Sequence, residues 1–396
     1  MKVNGHHYRS IFPNEALTEL NVIDQRLLPF KFELIKVKTA DEMIFAIKDM
    51  ALRGAPLIGA AGAFGVMLAI QDFMQSSEYH TNLTDYYHYA NNQFLKDVVE
   101  INSTVLNFGK SFYLKADEIK HARPTAVNLK WAVDNQLFAI NDVFYWEDKL
   151  KVLKENALKI WNEDVEQNRK IGEYGLEIIK DIAKKKKNDV VNILTHCNAG
   201  WLATVDYGTA LSPIFLAHEA GIKVHVWVDE TRPRNQGAKL TAWELMNENI
   251  PHHLISDNTG GHLMQNGMVD MVIVGTDRTT LKGDVTNKIG TYLKALAAKD
   301  NNIPFYVAAP SGSIDFTFDE DYRKIEIEER SADEVLFMDG IEEGEYKQIR
   351  ITHENTPARN WAFDVTPAQL VTGLITERGI CNADKKSILN LFPEKA

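Results

Sequence analysis

Cysteine is scarce in this 396-residue sequence. Two cysteines, Cys197 and Cys381, cannot build a disulfide framework or a four-cysteine zinc site, which points to a reducing compartment. The polar start MKVNGHHYRS lacks the apolar stretch of a secretory leader, so a cytoplasmic location is expected. Positive charge is also short. The net charge of −11 argues against the basic surface that non-specific nucleic-acid binding requires, so no nucleic-acid partner is expected. Familiar cofactor and nucleophile motifs are missing too. There is no G-x-G-x-x-G after a strand pattern, no Walker phosphate loop, no G-x-S-x-G and no H-E-x-x-H. The pairs His6-His7 and His252-His253 lack ligand partners at metal spacing, so neither a cofactor nor a metal is expected.

One uncharged run is long enough to weigh against a membrane. Residues 54–70 carry no charge, but they contain Pro56 and four glycines, and they fall short of the ~20 residues that a span needs. Gly59, Gly62 and Gly65 recur at a spacing of three, which lines one side of a helix and permits close backbone contact. A buried, tightly packed helix is the reading, with no membrane partner.

What is present reads as two regions. Short β-like runs at 8–12, 19–23 and 31–37 precede a helix, which Thr39 and Glu42 open at capping-box spacing and which runs to about Leu52. Residues 72–118 are polar and aromatic, with three tyrosines between 86 and 89, and read as helix interrupted by loops. A charged helical pattern over 146–187 ends in four lysines, a solvated last turn that complements the carbonyl end of the helix dipole. β-branched or aromatic runs then follow at 190–194, 222–228, 252–255, 269–274 and 305–309. Helical patterns at about 201–220, 236–248, 260–266 and 287–300 separate them. Such alternation predicts an α/β fold: a C-terminal Rossmann-like parallel-sheet domain over 147–396 with a smaller α+β N-terminal domain over 1–146.

Open parallel sheets bind ligands outside the carboxyl ends of their strands. Cys197 falls there, where a strand meets a glycine-containing turn and a helix start. A helix N-terminus stabilises a thiolate, although a small buried hydrophobe is the commoner fate of cysteine. His196 is adjacent, and neighbouring strand residues point to opposite faces, which argues against a thiol–imidazole pair. Asp277 carries two readings: a general acid whose pKa burial raises, or half of a structural ion pair beside Arg278. Asn287-Lys288 is expected to open a helix, where backbone amides and a lysine make either a phosphate site or a solvated cap. Arg53 and Gly54 likewise precede a helix, and Arg123 precedes a proline. On residues alone, this is an α/β enzyme acting on a small phosphorylated substrate.

The same segments resemble the methylthioribose-1-phosphate isomerase family, whose fold is shared with regulatory subunits of the translation initiation factor 2B complex. The resemblance runs through IDQRLLP (23–29), RGAPLIGAAGAFG (53–65), RPTAVNL (123–129) and THCNAGWLATVDYGTAL (195–211). It continues through ETRPRNQGAKLTAWEL (230–245), VGTDRTTLKGDVTNKIGTY (274–292), IPFYVAAP (303–310), IEERSADEV (327–335) and AFDVTPAQLVTGLITERGI (362–380). It implies conversion of 5-methylthioribose 1-phosphate to its ketose in methionine salvage, with Cys197 catalytic and Asp277 the proton donor. It places substrate contacts on Arg53, Gly54, Ala55, Arg123, Gln236, Asn287 and Lys288, in a cleft between the domains of a homodimer. GTDR stands where many members have GADR, and Leu57 where alanine is frequent. These departures leave 5-deoxyribose 1-phosphate isomerase as a related reading, since a methyl-sized change shifts discrimination by only about 1–3 kcal/mol. A ribose 1,5-bisphosphate isomerase and a non-catalytic regulatory subunit are remoter alternatives.

Overall fold

The computed structural model describes residues 1–81, 108–123 and 127–396. Most of the aromatic segment expected to mix helix and loop, including its three tyrosines, lies outside the described residues.

Near the N-terminus, Ile11–Pro13, Leu20–Ile23 and Leu34–Val37 form an antiparallel sheet, with Val22 opposite Ile11 on one side and Ile35 on the other. The helix Ala40–Lys48 starts where its sequence says it should: Thr39 accepts from the Glu42 amide, and the Glu42 side chain accepts from the Thr39 amide. The apolar run forms the helix Ala55–Gln75, with Pro56 in its first turn. It is long and apolar enough to cross a membrane, yet 83% of its most apolar window is buried inside the fold. The glycine stripe explains how. A Cβ on Gly59 would lie 3.3 Å from Asn128, and one on Gly62 would lie 2.6 Å from the Leu129 side chain. The stripe therefore lets the helix Val127–Ala139 approach closely. The charged helix Trp146–Lys185 runs 40 residues and serves two cores. Leu153, Ala157 and Ile160 pack in the N-terminal core, while Ile171, Ile179 and Ala183 pack against one face of the large sheet.

That sheet has seven strands in the order Gly379–Cys381, Gly373–Thr376, Phe305–Ala308, Met271–Val274, Val191–Thr195, Val224–Asp229, His252–Ile255. All neighbours are parallel except the last hairpin, Gly373–Thr376 with Gly379–Cys381. The chain enters at Val191–Thr195, builds outward to His252–Ile255, then returns to place Met271–Val274 on the other side of its first strand. This reversal is the Rossmann switch point, and the crevice at its carboxyl edge is where such sheets bind ligands. The Rossmann-like α/β expectation is thus met.

Two local expectations are corrected. The pattern at 201–220 is helical only at Trp201–Ala203, as a 3₁₀ turn, and at Ser212–Glu219. Between them Tyr207 (φ 66°) and Gly208 (φ 81°) take left-handed backbone that no right-handed helix accommodates. Asn287 and Lys288 do not open a helix. They end the strand Val285–Lys288, pairing with Asp364 and Phe363 of Phe363–Thr366 in a four-stranded sheet unforeseen in the sequence. The helix Thr291–Asp300 begins only after Gly290, whose φ of 101° turns the chain.

Candidate active site

The strands on either side of the switch point each continue into the crevice. Val191–Thr195 leads to His196 and Cys197, and Met271–Val274 leads to Gly275, Thr276 and Asp277. One cavity here is lined by Arg53, Gly54, Ala55, Arg123, Cys197, Gln236, Asp277, Asn287 and Lys288. Every site residue read from the sequence meets in it. His196, Asn198, Thr276, Met50 and Phe363 also line it, and these the sequence reading had not assigned.

Cys197 is buried, and its backbone is left-handed at φ 67°, an uncommon conformation for a residue with a side chain. Two bonds hold it there: its amide donates to Thr231 Oγ1 at 2.8 Å, and its carbonyl accepts from Thr241 Oγ1 at 2.7 Å. It does not begin a helix, which corrects that expectation. Burial pushes the thiol up, while the Arg53 and Lys288 cations pull it the other way. The His196 ring is committed elsewhere, Nδ1 to Asp229 Oδ2 at 2.9 Å and Nε2 to the Ile289 carbonyl at 2.8 Å, so no thiol–imidazole pair forms. His196, Asp229 and Asp257 are close enough to suggest a cation site. Lys294 fills that role: its ammonium sits 3.2 Å from Asp229 and donates to the Asp257 carbonyl.

Asp277 is half-buried, its amide tied to the Thr286 carbonyl at 3.0 Å. Arg278 turns away to Asp315, at 2.7 Å, so the structural ion pair weighed for Asp277 belongs to its neighbour. Desolvation raises the Asp277 carboxyl, opposed by Lys288, Arg53 and Arg123. Lys288 is buried with its ammonium 4.3 Å from the centre of the Phe363 ring. Burial lowers its pKa against the pull of Cys197 and Asp277, and burial likewise lowers that of Arg123. Three cationic side chains thus converge on one cavity. Beside them stand the first amides of the helix Ala55–Gln75, which have no carbonyl partner within the helix. Two buried polar atoms of cavity residues, Gln236 Oε1 and Arg123 Nε, lack a hydrogen-bond partner among the described residues. A buried polar atom without a partner is costly unless a ligand satisfies it. The arrangement suits a small, hydroxylated anion held beside a thiol and a carboxyl group whose pKa burial raises.

Residues 51–383 match the model of the Initiation factor 2 subunit family. A methylthioribose-1-phosphate isomerase of Desulfatibacillum aliphaticivorans is 51% identical over the full length of both chains. The crystal structure of 5-methylthioribose 1-phosphate isomerase from Pyrococcus horikoshii OT3 is 36% identical with a TM-score of 0.78, covering 98% of this chain and 96% of that one. The crystal structure of the translation initiation factor eIF-2B, subunit delta, from A. fulgidus is 37% identical with a TM-score of 0.74, covering 98% of this chain and all of that one.

Proposed function

This chain belongs to the initiation factor 2 subunit family, and on that premise we propose that it isomerises 5-methylthioribose 1-phosphate to 5-methylthioribulose 1-phosphate. One observation carries the reading: Cys197 and Asp277, from the loops after the two strands flanking the switch point, share a cavity with Arg53, Arg123 and Lys288. A binding subunit needs the cations but has no use for a thiol and a raised carboxyl group among them.

The substrate sets the chemical problem. Its anomeric oxygen carries the phosphate, so the ring does not open by simple hemiacetal reversal, and the bond between C1 and the ring oxygen breaks only as that oxygen gains a proton. Asp277, whose carboxyl burial pushes up from its ordinary value, donates it. Hydrogen then moves from C2 to C1 on the Cys197 side, and the C2 hydroxyl returns its proton to the Asp277 carboxylate as the ketone forms. Arg53 and Arg123 bring fork-shaped donors to the phosphate, and Lys288 adds charge. The amides at Gly54 and Ala55 are offered to the phosphate, and position 54 must be glycine because a Cβ there would run into the Ala203 backbone. Gln236 and Asn287 take the sugar hydroxyls. The proposal includes 5-deoxyribose 1-phosphate as a second substrate of the same site, a homodimer, and a cytoplasmic location that suits two free cysteines.

The test is ketose 1-phosphate formation by purified protein, comparing kcat/KM for the two sugars. Preference for the methylthio sugar supports a place in methionine salvage, and equality or reversal supports broader 5-deoxypentose salvage. Folded protein that turns over neither sugar overturns the enzyme reading in favour of a regulatory subunit.

A further inference from the structure

Glu244 is fully buried on the helix Ala242–Asn247, behind the Cys197 loop, and the reaction above makes no use of it. Its carboxylate accepts three hydrogen bonds. Asn198 Nδ2, at 2.8 Å, and the Leu202 amide, at 3.2 Å, donate to Oε1, and the Trp201 amide donates to Oε2 at 2.9 Å. Gly200 passes over this carboxylate, and a Cβ there would collide with it. Asn198 relays the arrangement forward. Its amide nitrogen also donates to Thr241 Oγ1 at 3.1 Å, and Thr241 in turn holds the Cys197 carbonyl. With its nitrogen committed, Asn198 turns Oδ1 toward Arg53, which donates to it from Nη1 and to the Asn198 main-chain carbonyl from Nη2 at 2.9 Å.

A carboxamide fits its space either way round, and only its partners decide which end faces where. An ionised carboxylate offers acceptors alone, so it demands the nitrogen, and the oxygen is left for a guanidinium that offers donors alone. The other donors of the Arg53 fork remain for an anion in the cavity.

We propose that Glu244 is a positioning residue for phosphate binding: acting through Asn198, it sets the direction of the Arg53 guanidinium and offsets its charge. This rests on the reading of Arg53 as a phosphate ligand.

The test is run at pH 8, above the value of about 7 to which burial pushes the Glu244 carboxyl. Glu244→Gln, Asn198→Ala and the double variant are titrated with inorganic phosphate by calorimetry and assayed with methylthioribose 1-phosphate. Loss of one charge-assisted hydrogen bond predicts phosphate binding weakened about tenfold and KM raised to match. Because the reacting groups stay in place, kcat holds to within about twofold. The double variant should lose no more than either single one, since both break the same relay. Unchanged phosphate affinity in folded Glu244→Gln overturns the proposal, as do additive losses or a fall in kcat at constant KM. Should Glu244→Gln not fold, Asn198→Ala carries the same phosphate titration. Phosphate binding requires no turnover. A wild-type protein that binds phosphate but converts no sugar refutes the enzyme reading and leaves this one standing, whereas one that binds no phosphate overturns this one.

Discussion

Arg53 donates to the main-chain carbonyl of Asn198 at 2.9 Å, and so the start of the glycine-striped helix is tied to the loop after the first strand of the large sheet. One member of the pair brings a cation from the helical layer, and the other belongs to the loop that carries the buried thiol. Neither layer holds the cavity by itself. Packing between the two assembles it, and perturbing that packing should act on the chemistry as directly as removing a reacting group.

Cys197→Ser and Asp277→Asn are near-isosteric and should leave the fold intact while lowering kcat by about 10²–10⁴, the range for a positioned acid or base. Steady-state rates beside thermal melts check this, and near-wild-type turnover in either variant would remove that residue from the reaction.

The pH dependence of Asp277 has a definite sign. Its carboxyl is raised in the folded protein and works protonated, so turnover should decline as pH rises through that raised value. The same shift affects stability. A group that holds its proton more tightly when folded contributes stabilisation that is complete below the unfolded carboxylate value and is lost as pH rises through the folded one. Asp277→Asn should therefore be more stable than wild type on the alkaline side and gain nothing at acid pH, which denaturant midpoints across the pH range would show.

Lys288 lies buried with no carboxylate within ion-pair distance among the described residues. A buried charge without an ion-pair partner carries a desolvation penalty that no partner offsets, so an apolar side chain of similar volume should stand there at no cost in stability. Lys288→Met should hold or raise the melting temperature while increasing KM for the sugar phosphate. A melting temperature well below wild type, or an unchanged KM, contradicts this account.

Glycines 54 and 267 both have positive φ, at 107° and 66°, but a Cβ at 54 would meet the Ala203 backbone, whereas one at 267 meets nothing within 4 Å. Gly267→Ala should cost only about 1–2 kcal/mol, the penalty of left-handed backbone. Gly54→Ala should cost more than about 3 kcal/mol, because strain and a rigid clash add, and it should also abolish phosphate binding. Urea midpoints for the pair separate the two causes.

The parts of this fold that could be read from residues are those set by near neighbours along the chain. The Thr39–Glu42 cap, the glycine stripe of residues 59–65 and the β-branched run ending at Val274 each carry their instruction within a few positions. What escaped is set by distant partners. Asn287 and Lys288 have no strand signature of their own. They are extended because Asp364 and Phe363, more than seventy residues on, pair with them. Glu244 was not singled out within the helical pattern at 236–248, and only the folding of the 198–202 loop onto it makes it a buried acceptor.

The sequence by itself determined the order along the chain of five of the parallel strands of the large sheet, because hydrophobic period is a local property, and its motifs carried the family likeness that named the residues meeting in the cavity. Tertiary structure alone decided their chemical state. Whether Asp277 joins an ion pair or has its carboxyl raised by burial, whether Cys197 sits at a helix start or in a strained loop, and which acid stands behind Arg53 depend on burial and on hydrogen bonds across the switch point. Desolvation and directional bonding act through space, between residues that sequence separation leaves unrelated.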